Sequence, residues 1–252
     1  MKRALISDIH GNLEALRAVL NDIRAQGITD IWCLGDIIGY GPNPCECLDE
    51  VMRRCKVTIL GNHDQASMFD PAGFNQMALQ AVYWTRDQLN QHGTQTQINK
   101  RWDFIGELPQ KFKEGNDLFL HGSVREPTNE YVFPEDIYQA KKMEDLFRRL
   151  DRYCFQGHTH IPGVFRSTPN GYDFVSPEDC GYTFRLTGEK IMVNVGSVGQ
   201  PRDSDPRSCY VIYEDQQLTF RRVEYDVETT SKKIYEIPTL DRRLGDRIKI
   251  GQ

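Results

Sequence analysis

Short apolar runs alternate with amphipathic stretches along the first 160 residues of the chain. Residues 4–6 predict a buried strand, and residues 13–23 carry apolar side chains at helical spacing after an N-capping Asn12. The pattern then predicts a strand, a helix and another strand at 31–34, 44–54 and 57–60. Strands that alternate with helices in this way are typical of an α/β fold with parallel strands.

The apolar pattern continues beyond these elements and changes after residue 160. Residues 74–106 and 136–150 predict mostly helical structure, and residues 118–120 and 153–155 predict two further buried strands. After residue 160, turns separate short predicted strands at 163–166, 172–175, 181–186, 190–195, 209–214 and 217–225. We therefore expect a mostly antiparallel second half, with a second sheet as one arrangement. The pattern from about residue 236 onward assigns no element.

Histidines gather where the predicted strands end. Of the six histidines, five lie in these loops: His10, His63, His121, His158 and His160. In open α/β sheets, ligands bind beyond the carboxyl ends of the strands. A lone histidine at a strand end is more often a hydrogen-bonded loop residue, but five such loops together favour a functional site.

Acidic and amide side chains share the same loops, namely Asp8, Asp36, Asn62 and Asp64. Carboxylate oxygen and imidazole nitrogen form the ligand set that Zn, Mn, Fe or Co accepts. Two carboxylates with four histidines exceed what one tetrahedral ion needs. A pair of metal ions that share a carboxylate would use them all.

These loops resemble the signature motifs of a known family. Five segments resemble the blocks of the calcineurin-like metallophosphoesterases: Asp8-Ile9-His10, Gly35-Asp36, Gly61-Asn62-His63-Asp64, His121-Gly122 and Gly157-His158-Thr159-His160. The segments at 35–42 and 195–202 are similar to the small bacterial branch of that family. The resemblance implies a four-layer α/β/β/α sandwich with two mixed β-sheets.

The resemblance also implies two divalent transition-metal ions, Mn, Fe or Zn. One ion would be held by Asp8, His10 and His160, the other by Asn62, His121 and His158, with Asp36 as the bridge. The implied reaction is hydrolysis of a phosphate ester by in-line attack of a metal-bridging hydroxide, with Asn62 also binding the substrate. The substrate class stays open between phosphomonoesters, phosphodiesters and dinucleoside polyphosphates. Residues 35–42 and the other motifs do not separate these.

Three further residues are candidates for catalysis or substrate binding. His63 follows Asn62 directly, so we expect it beside the metals as the general acid that protonates the leaving oxygen. Asp64 either orients His63 or caps the loop, and the sequence does not decide between them. Arg202 suits bidentate phosphate binding. The alternative, slightly favoured by sequence alone, is a surface turn with an Arg202–Asp203 pair.

The composition and charge of the chain narrow the range of its substrates and binding partners. The chain has 252 residues and a formal charge of −5, which argues against a nuclease for long nucleic acid. No export signal and no membrane-length apolar run occur, and the odd count of seven cysteines fits reduced thiols, so we expect a cytoplasmic enzyme acting on a small phosphorylated substrate. A catalytically weak metal-binding scaffold and a protein phosphatase are the alternatives, and a homo-oligomer is left open.

The chain is interpreted as one domain, residues 1–252, since no linker or internal repeat divides it. Two segments, 66–115 and 123–150, are inserted between the ligand-bearing loops. We expect them to wall the pocket and to select the substrate.

Overall fold

A computed structural model describes residues 2–71 and 73–252 of the chain. Its strands are β1 (Lys2–Ile6), β2 (Asp30–Cys33), β3 (Val57–Thr58), β4 (Lys111–Glu114), β5 (Asp117–Leu120), β6 (Tyr153–Gln156), β7 (Gly163–Thr168), β8 (Gly171–Val175), β9 (Thr183–Arg185), β10 (Ile191–Asn194), β11 (Ser208–Glu214) and β12 (Gln217–Val223). They form two six-stranded sheets, in the orders β3-β2-β1-β11-β12-β9 and β4-β5-β6-β10-β7-β8.

Both sheets are mixed. β1, β2 and β3 run parallel in the first sheet, where β11 joins β1 antiparallel. β5, β6 and β10 run parallel in the second, where β7 joins β10 antiparallel. The six strands predicted after residue 160 are all present, and most of them pair antiparallel as expected. They are divided between the two sheets.

Helices cover the outer faces of the sheets. They are α1 (Leu13–Ala25), α2 (Pro44–Arg54), α3 (Asn62–Met68), α4 (Gln76–Gln91), α5 (Gln95–Glu107), α6 (Ala140–Arg148), α7 (Val227–Tyr235) and α8 (Arg243–Ile248). Residues Pro134–Tyr138 form a short 3-10 helix before α6. Asn12 caps α1 by accepting a hydrogen bond from the amide of Ala15, as the sequence predicts.

Alternating side chains along the central strands build the layers. Leu5 of β1 and Val211 of β11 pack with Phe155 of β6 in a core between the two sheets. Their neighbours point outward: Ile6 packs under α1 and α2, and Cys154 packs under α6. The predicted four-layer α/β/β/α sandwich with two mixed sheets is thus confirmed.

Four local expectations were wrong or incomplete. The loop expected at Asn62 is the first turn of α3, and the single helix expected at 136–150 is a 3-10 turn followed by α6. The edge strand β4 was not predicted, since all four of its residues are exposed and carry no buried alternation. The unassigned tail contains α8, which packs with α7 and α4 in a small separate cluster.

Within residues 2–71 and 73–252, no helix has both the length and the apolar character that crossing a bilayer requires.

Candidate metal centre

The candidate ligands converge because parallel strands from both sheets end at the same place. The loops after β1 and β2 are tied together by hydrogen bonds from the amides of Asp8 and His10 to the carbonyls of Gly35 and Asp36, at 3.0 and 2.9 Å. In the second sheet, the amide of Gly157 donates to the carbonyl of His121 at 3.0 Å. The structure therefore brings the ligand-bearing loops of the two sheets together at one site.

The loops hold their side chains by an unusual backbone. Asp8, His10, Asp36, His158 and His160 all have positive φ, between 49° and 70°. Non-glycine residues adopt this left-handed region rarely and at a cost, and such residues cluster at functional sites. In each of the Asp8/His10 and His158/His160 pairs, left-handed turns rather than extended backbone turn both side chains toward one site.

Asp8, His10 and His160 form one group of buried ligand atoms, all within 4.8 Å of one another. Asp8 Oδ1 lies 3.1 Å from His160 Nε2 and 3.8 Å from His10 Nε2. The other carboxylate oxygen, Oδ2, accepts a hydrogen bond from the amide of His158 at 3.0 Å. One oxygen of Asp8 is thereby fixed by the backbone, and the other faces the two imidazoles.

A second group is formed by Asp36, His121 and His158, again with ligand atoms within 4.8 Å. Asn62 joins it, since its Oδ1 lies 3.1 Å from His121 Nε2. Asp36 Oδ2 lies 3.4 Å from His121 Nε2 and 3.6 Å from His10 Nε2, so it stands between the two groups. This position is the one expected for a shared carboxylate.

Backbone carbonyls orient the imidazoles. The Nδ1 atoms of His10, His121 and His160 lie 3.3, 2.8 and 2.5 Å from the carbonyl oxygens of Ile38, Leu34 and Gln200. His158 uses its Nε2 instead, 3.1 Å from the carbonyl of Asn129. An N–H held in this way leaves the lone pair of the opposite nitrogen free for a metal ion.

The free nitrogens face one another in pairs. His10 Nε2 lies 3.1 Å from His160 Nε2, and His121 Nε2 lies 3.1 Å from His158 Nδ1. Asp8 Oδ1 is buried and has no hydrogen-bond partner among the described residues. Facing ring nitrogens need a proton or a metal ion between them, and an orphaned buried carboxylate oxygen is unfavourable without a cation. The donor set therefore fits divalent transition-metal ions.

Electrostatics favour the same conclusion. Burial opposes charge on Asp8 and Asp36, yet the surrounding imidazoles hold the pKa of each carboxyl below its usual range. Burial lowers the pKa of His158 to about 3. At His121 burial acts in the same direction, but the Asp36 charge outweighs it and raises the pKa to about 9. The site therefore attracts positive charge where a metal would take the place of a proton.

His63 lies against the candidate metal ligands, and no hydrogen bond joins its ring to another imidazole in the described part of the chain. Its ring centroid is 4.9 Å from that of His10 and 4.4 Å from that of Tyr40. Its Nδ1 is buried without a hydrogen-bond partner in the described part of the chain. A ring nitrogen of His63 also falls within 4.8 Å of ligand atoms of His10 and Asp36, so the geometry is compatible with a ligand as well as with an acid.

The sequence leaves two roles open for Asp64, and the structure supports the capping role. Its carboxylate accepts hydrogen bonds from the amides of Gly61, Ile37 and Ile38, at 3.1, 3.0 and 3.3 Å. These bonds join the start of α3 to the loop that carries Asp36. No hydrogen bond between Asp64 and the imidazole of His63 occurs in the described residues, so its predicted orienting role has no support in the geometry.

Arg202 faces the site and does not form the local pair that the sequence slightly favours. Asp203 instead forms its ion pair with Arg222. Arg202 Nη2 donates to Gln200 Oε1 at 2.8 Å, and its Cζ lies 6.0 Å from the ring centroid of Tyr40. Burial is the main cause that lowers the pKa of His63 to about 4. The charge of Asp36 opposes this shift, and the charge of Arg202 adds to it. The alternative of a surface turn with an Arg202–Asp203 pair is therefore wrong.

A cavity of about 300 Å³ opens over the second group of ligands. Its lining residues are Tyr40, Asn62, His63, Gly73, Phe74, Asn75, Ala78, Asn129, Tyr131 and His158. Tyr131 stacks on the His158 imidazole with 3.7 Å between ring centroids. Sequence reasoning missed the contributions of Tyr131 and Asn129, since neither lies at a strand end or in a ligand motif.

Known proteins resemble this chain in sequence. A family model described as the calcineurin-like phosphoesterase superfamily domain matches residues 1–217. The uncharacterised protein MJ0912 of Methanocaldococcus jannaschii is 35% identical over 258 residues, covering 99% of this chain and 98% of that protein. The symmetrical bis(5′-nucleosyl)-tetraphosphatase of Erwinia tasmaniensis is 37% identical over 67 residues, only 25% of this chain and 24% of that enzyme.

Solved structures give the same result over the full length. A metallophosphoesterase from Sphaerobacter thermophilus covers all of both chains with a TM-score of 0.82 and 34% identity. The hypothetical protein PH1004 from Pyrococcus horikoshii shares the fold, with a TM-score of 0.73 and 18% identity over all of this chain and 98% of that one. On the family model, the full-length relative and this fold, the chain belongs to the calcineurin-like phosphoesterase superfamily.

Proposed function

We propose that the protein is a binuclear metal-dependent hydrolase of small phosphate esters. The observation that carries the proposal is the pair of buried ligand groups that share Asp36 beside an open cavity. Asp8, His10 and His160 would hold one ion, and Asn62, His121 and His158 the other. Two divalent ions supply a water-derived nucleophile at neutral pH and neutralise charge on the phosphoryl oxygens.

The charge balance of the site supports an anionic substrate. Asp8 and Asp36 are the carboxylates among the ligands, and bound divalent ions exceed their negative charge. Arg202 adds a further positive charge on the Tyr40 side of the cavity. We infer that the amide of Asn62 orients the phosphoryl group and that the guanidinium of Arg202 binds an anionic group of the substrate.

His63 is proposed as the proton donor to the leaving oxygen. Burial, the main cause, lowers the pKa of His63 to about 4 in the free protein, so its imidazole is neutral at pH 7. A bound phosphate brings negative charge next to the ring and favours the protonated form. The ring is held between Tyr40 and Phe74, at 4.4 and 4.9 Å between centroids, which limits its rotation. A fixed donor of this kind typically contributes about 10²–10⁴-fold to turnover.

Substrate selection is proposed for the two segments that wall the cavity. Phe74 and Asn75 come from the segment 66–115, and Asn129 and Tyr131 from the segment 123–150. The cavity volume of about 300 Å³ is at the lower end of small-molecule sites. A small ester fits this space better than the surface of a folded protein, which places protein phosphatase activity second.

The test is a substrate panel on protein reconstituted with Mn²⁺, Fe²⁺ or Zn²⁺. The panel contains p-nitrophenyl phosphate, bis-p-nitrophenyl phosphate, a dinucleoside polyphosphate and a phosphopeptide, with the Asp36→Asn variant as the control. We expect metal-dependent hydrolysis of at least one small ester and little hydrolysis by the variant. Full metal content without hydrolysis of any member would overturn the proposal and favour the metal-binding scaffold.

A further inference from the structure

The C-terminal helix α8 forms part of the wall beside the metal centre. Leu244 and Ile248 of α8 are buried in one apolar cluster with Tyr40 and with Ala78 and Ala81 of α4. Tyr40 in turn contacts the site, with 4.8 Å between its ring centroid and that of His10. The tail that the sequence leaves unassigned therefore packs against Tyr40, which lines the cavity.

This packing brings two arginines to the same ring. The Cζ atoms of Arg202 and Arg247 lie 6.0 and 5.7 Å from the ring centroid of Tyr40. Both side chains are partly buried. Arg247 Nε donates to the backbone oxygen of Gln252 at 2.8 Å, and this bond leaves both terminal nitrogens of its guanidinium available.

In the described part of the chain, no acidic side chain balances the charge of either arginine. Across residues 2–71 and 73–252, no Asp or Glu side chain forms a salt bridge with Arg202 or Arg247. Arg202 Nε is buried without a hydrogen-bond partner among the same residues. The more deeply buried arginines elsewhere are paired, as Arg101 is with Asp49 at 2.7 Å. Arg202 and Arg247 thus differ from the deeply buried Arg3, Arg101 and Arg222, each of which pairs with a carboxylate.

Their proximity is unfavourable in the free protein. Burial first, and then the charge of Arg202, lower the pKa of Arg247 to about 10. Two like charges held together in a partly desolvated place are stabilised when an anion binds between them. Guanidinium groups bind phosphate and carboxylate with two parallel hydrogen bonds, which gives the site its chemical preference.

We propose that Arg202 and Arg247 form an anion subsite for a second anionic group of the substrate. The proposal rests on the proposed function, because it places one phosphoryl group at the metal centre and the second group beside Tyr40. The substrate class is then a phosphate ester or phosphoanhydride that carries a further phosphate or carboxylate. A phosphomonoester with a neutral leaving group would leave this subsite unused.

The test compares two inhibitors that differ by one anionic group, methylphosphonate and methylenediphosphonate. Their inhibition constants are measured against the best ester of the substrate panel, for the wild-type enzyme and for Arg247→Gln. Loss of one guanidinium–phosphonate contact should raise the inhibition constant of methylenediphosphonate about ten- to a hundredfold relative to that of methylphosphonate. Arg202→Gln should change the same ratio in the same direction.

Arg243→Gln is the matched control. Arg243 lies on the same helix, is exposed and forms an ion pair with Asp241. The ratio of inhibition constants for Arg243→Gln should equal that of the wild type. Melting temperatures are measured for all variants to show that they fold. An Arg247→Gln ratio equal to the wild-type ratio would overturn the subsite.

A second measurement separates this proposal from the proposed function. Calorimetric binding of methylenediphosphonate to wild type, Arg247→Gln and Arg243→Gln requires no turnover. Weaker binding only in Arg247→Gln supports the subsite even if no ester in the panel is hydrolysed. Equal binding in all three proteins contradicts it even if the enzyme is active.

Discussion

Removing the carboxylate of Asp64 tests the structural link between α3 and the Asp36 loop. Asp64 is fully buried, and its two oxygens accept hydrogen bonds from three backbone amides, those of Gly61, Ile37 and Ile38. In Asp64→Ala all three donors lose their acceptor. A buried donor left unsatisfied costs about 1–3 kcal/mol.

One term acts in the opposite direction. Burial and then the nearby Asp36 charge raise the pKa of Asp64 to about 7, so its removal relieves some repulsion. We therefore expect Asp64→Ala to lower the free energy of unfolding by about 3–5 kcal/mol, near the lower half of the range for three lost acceptors. For a chain of this length, each kcal/mol lowers Tm by about 2–4 °C.

The assay is thermal and urea unfolding of the metal-free protein, so that metal binding does not contribute. Asp226→Ala is the control, because Asp226 is an exposed N-cap that accepts from the amide of Thr229 at 3.0 Å. That variant should lose about 1 kcal/mol. A loss of stability in Asp64→Ala no greater than in Asp226→Ala would contradict the structural role of Asp64. Lower turnover with unchanged stability would restore the orienting role for His63.

Three further predictions concern the metal centre. His63→Ala should retain both metal ions, as measured by elemental analysis, but lose about 10²–10⁴-fold in kcat, with the larger losses for poor leaving groups. Loss of metal in this variant would make His63 a ligand instead. Asp36→Asn should weaken binding of both ions in calorimetric titration, and a variant that loses one ion alone would contradict the shared carboxylate. Gly157→Ala should lower Tm and metal affinity, because a Cβ at this position meets the side chains of Ser7 and Asp8. The control is Gly106→Ala in α5, where a Cβ meets open space. This variant should stabilise the helix by about 0.5–1 kcal/mol.

The sequence predicted the parts of the site that follow from strand ends. His10 and His121 come directly after apolar strands, and parallel strands place their carboxyl ends along one edge, so their convergence is readable without coordinates. The sequence does not show which hydrogen bonds an individual carboxylate oxygen forms. Asp64 could cap or orient until its three amide partners were seen.

Features that depend on tertiary packing were not predictable. The positive φ of Asp8 and His160 is imposed by the loops around them, since neither residue favours that conformation on its own. Helix α8 spans six residues and is stabilised by a few apolar contacts to Tyr40 and α4, too few for a periodic signal. Arg247 therefore had no local signal, and its proximity to Arg202 appears only in the folded chain.

We propose that two ions bound at one shared site enable phosphate-ester hydrolysis. The most direct test titrates metal-free protein with Mn²⁺ while hydrolysis of the best ester of the panel is measured. We expect activity to rise until two ions are bound per chain and then to stay constant. Full activity with one ion per chain, or no activity with two, would contradict it.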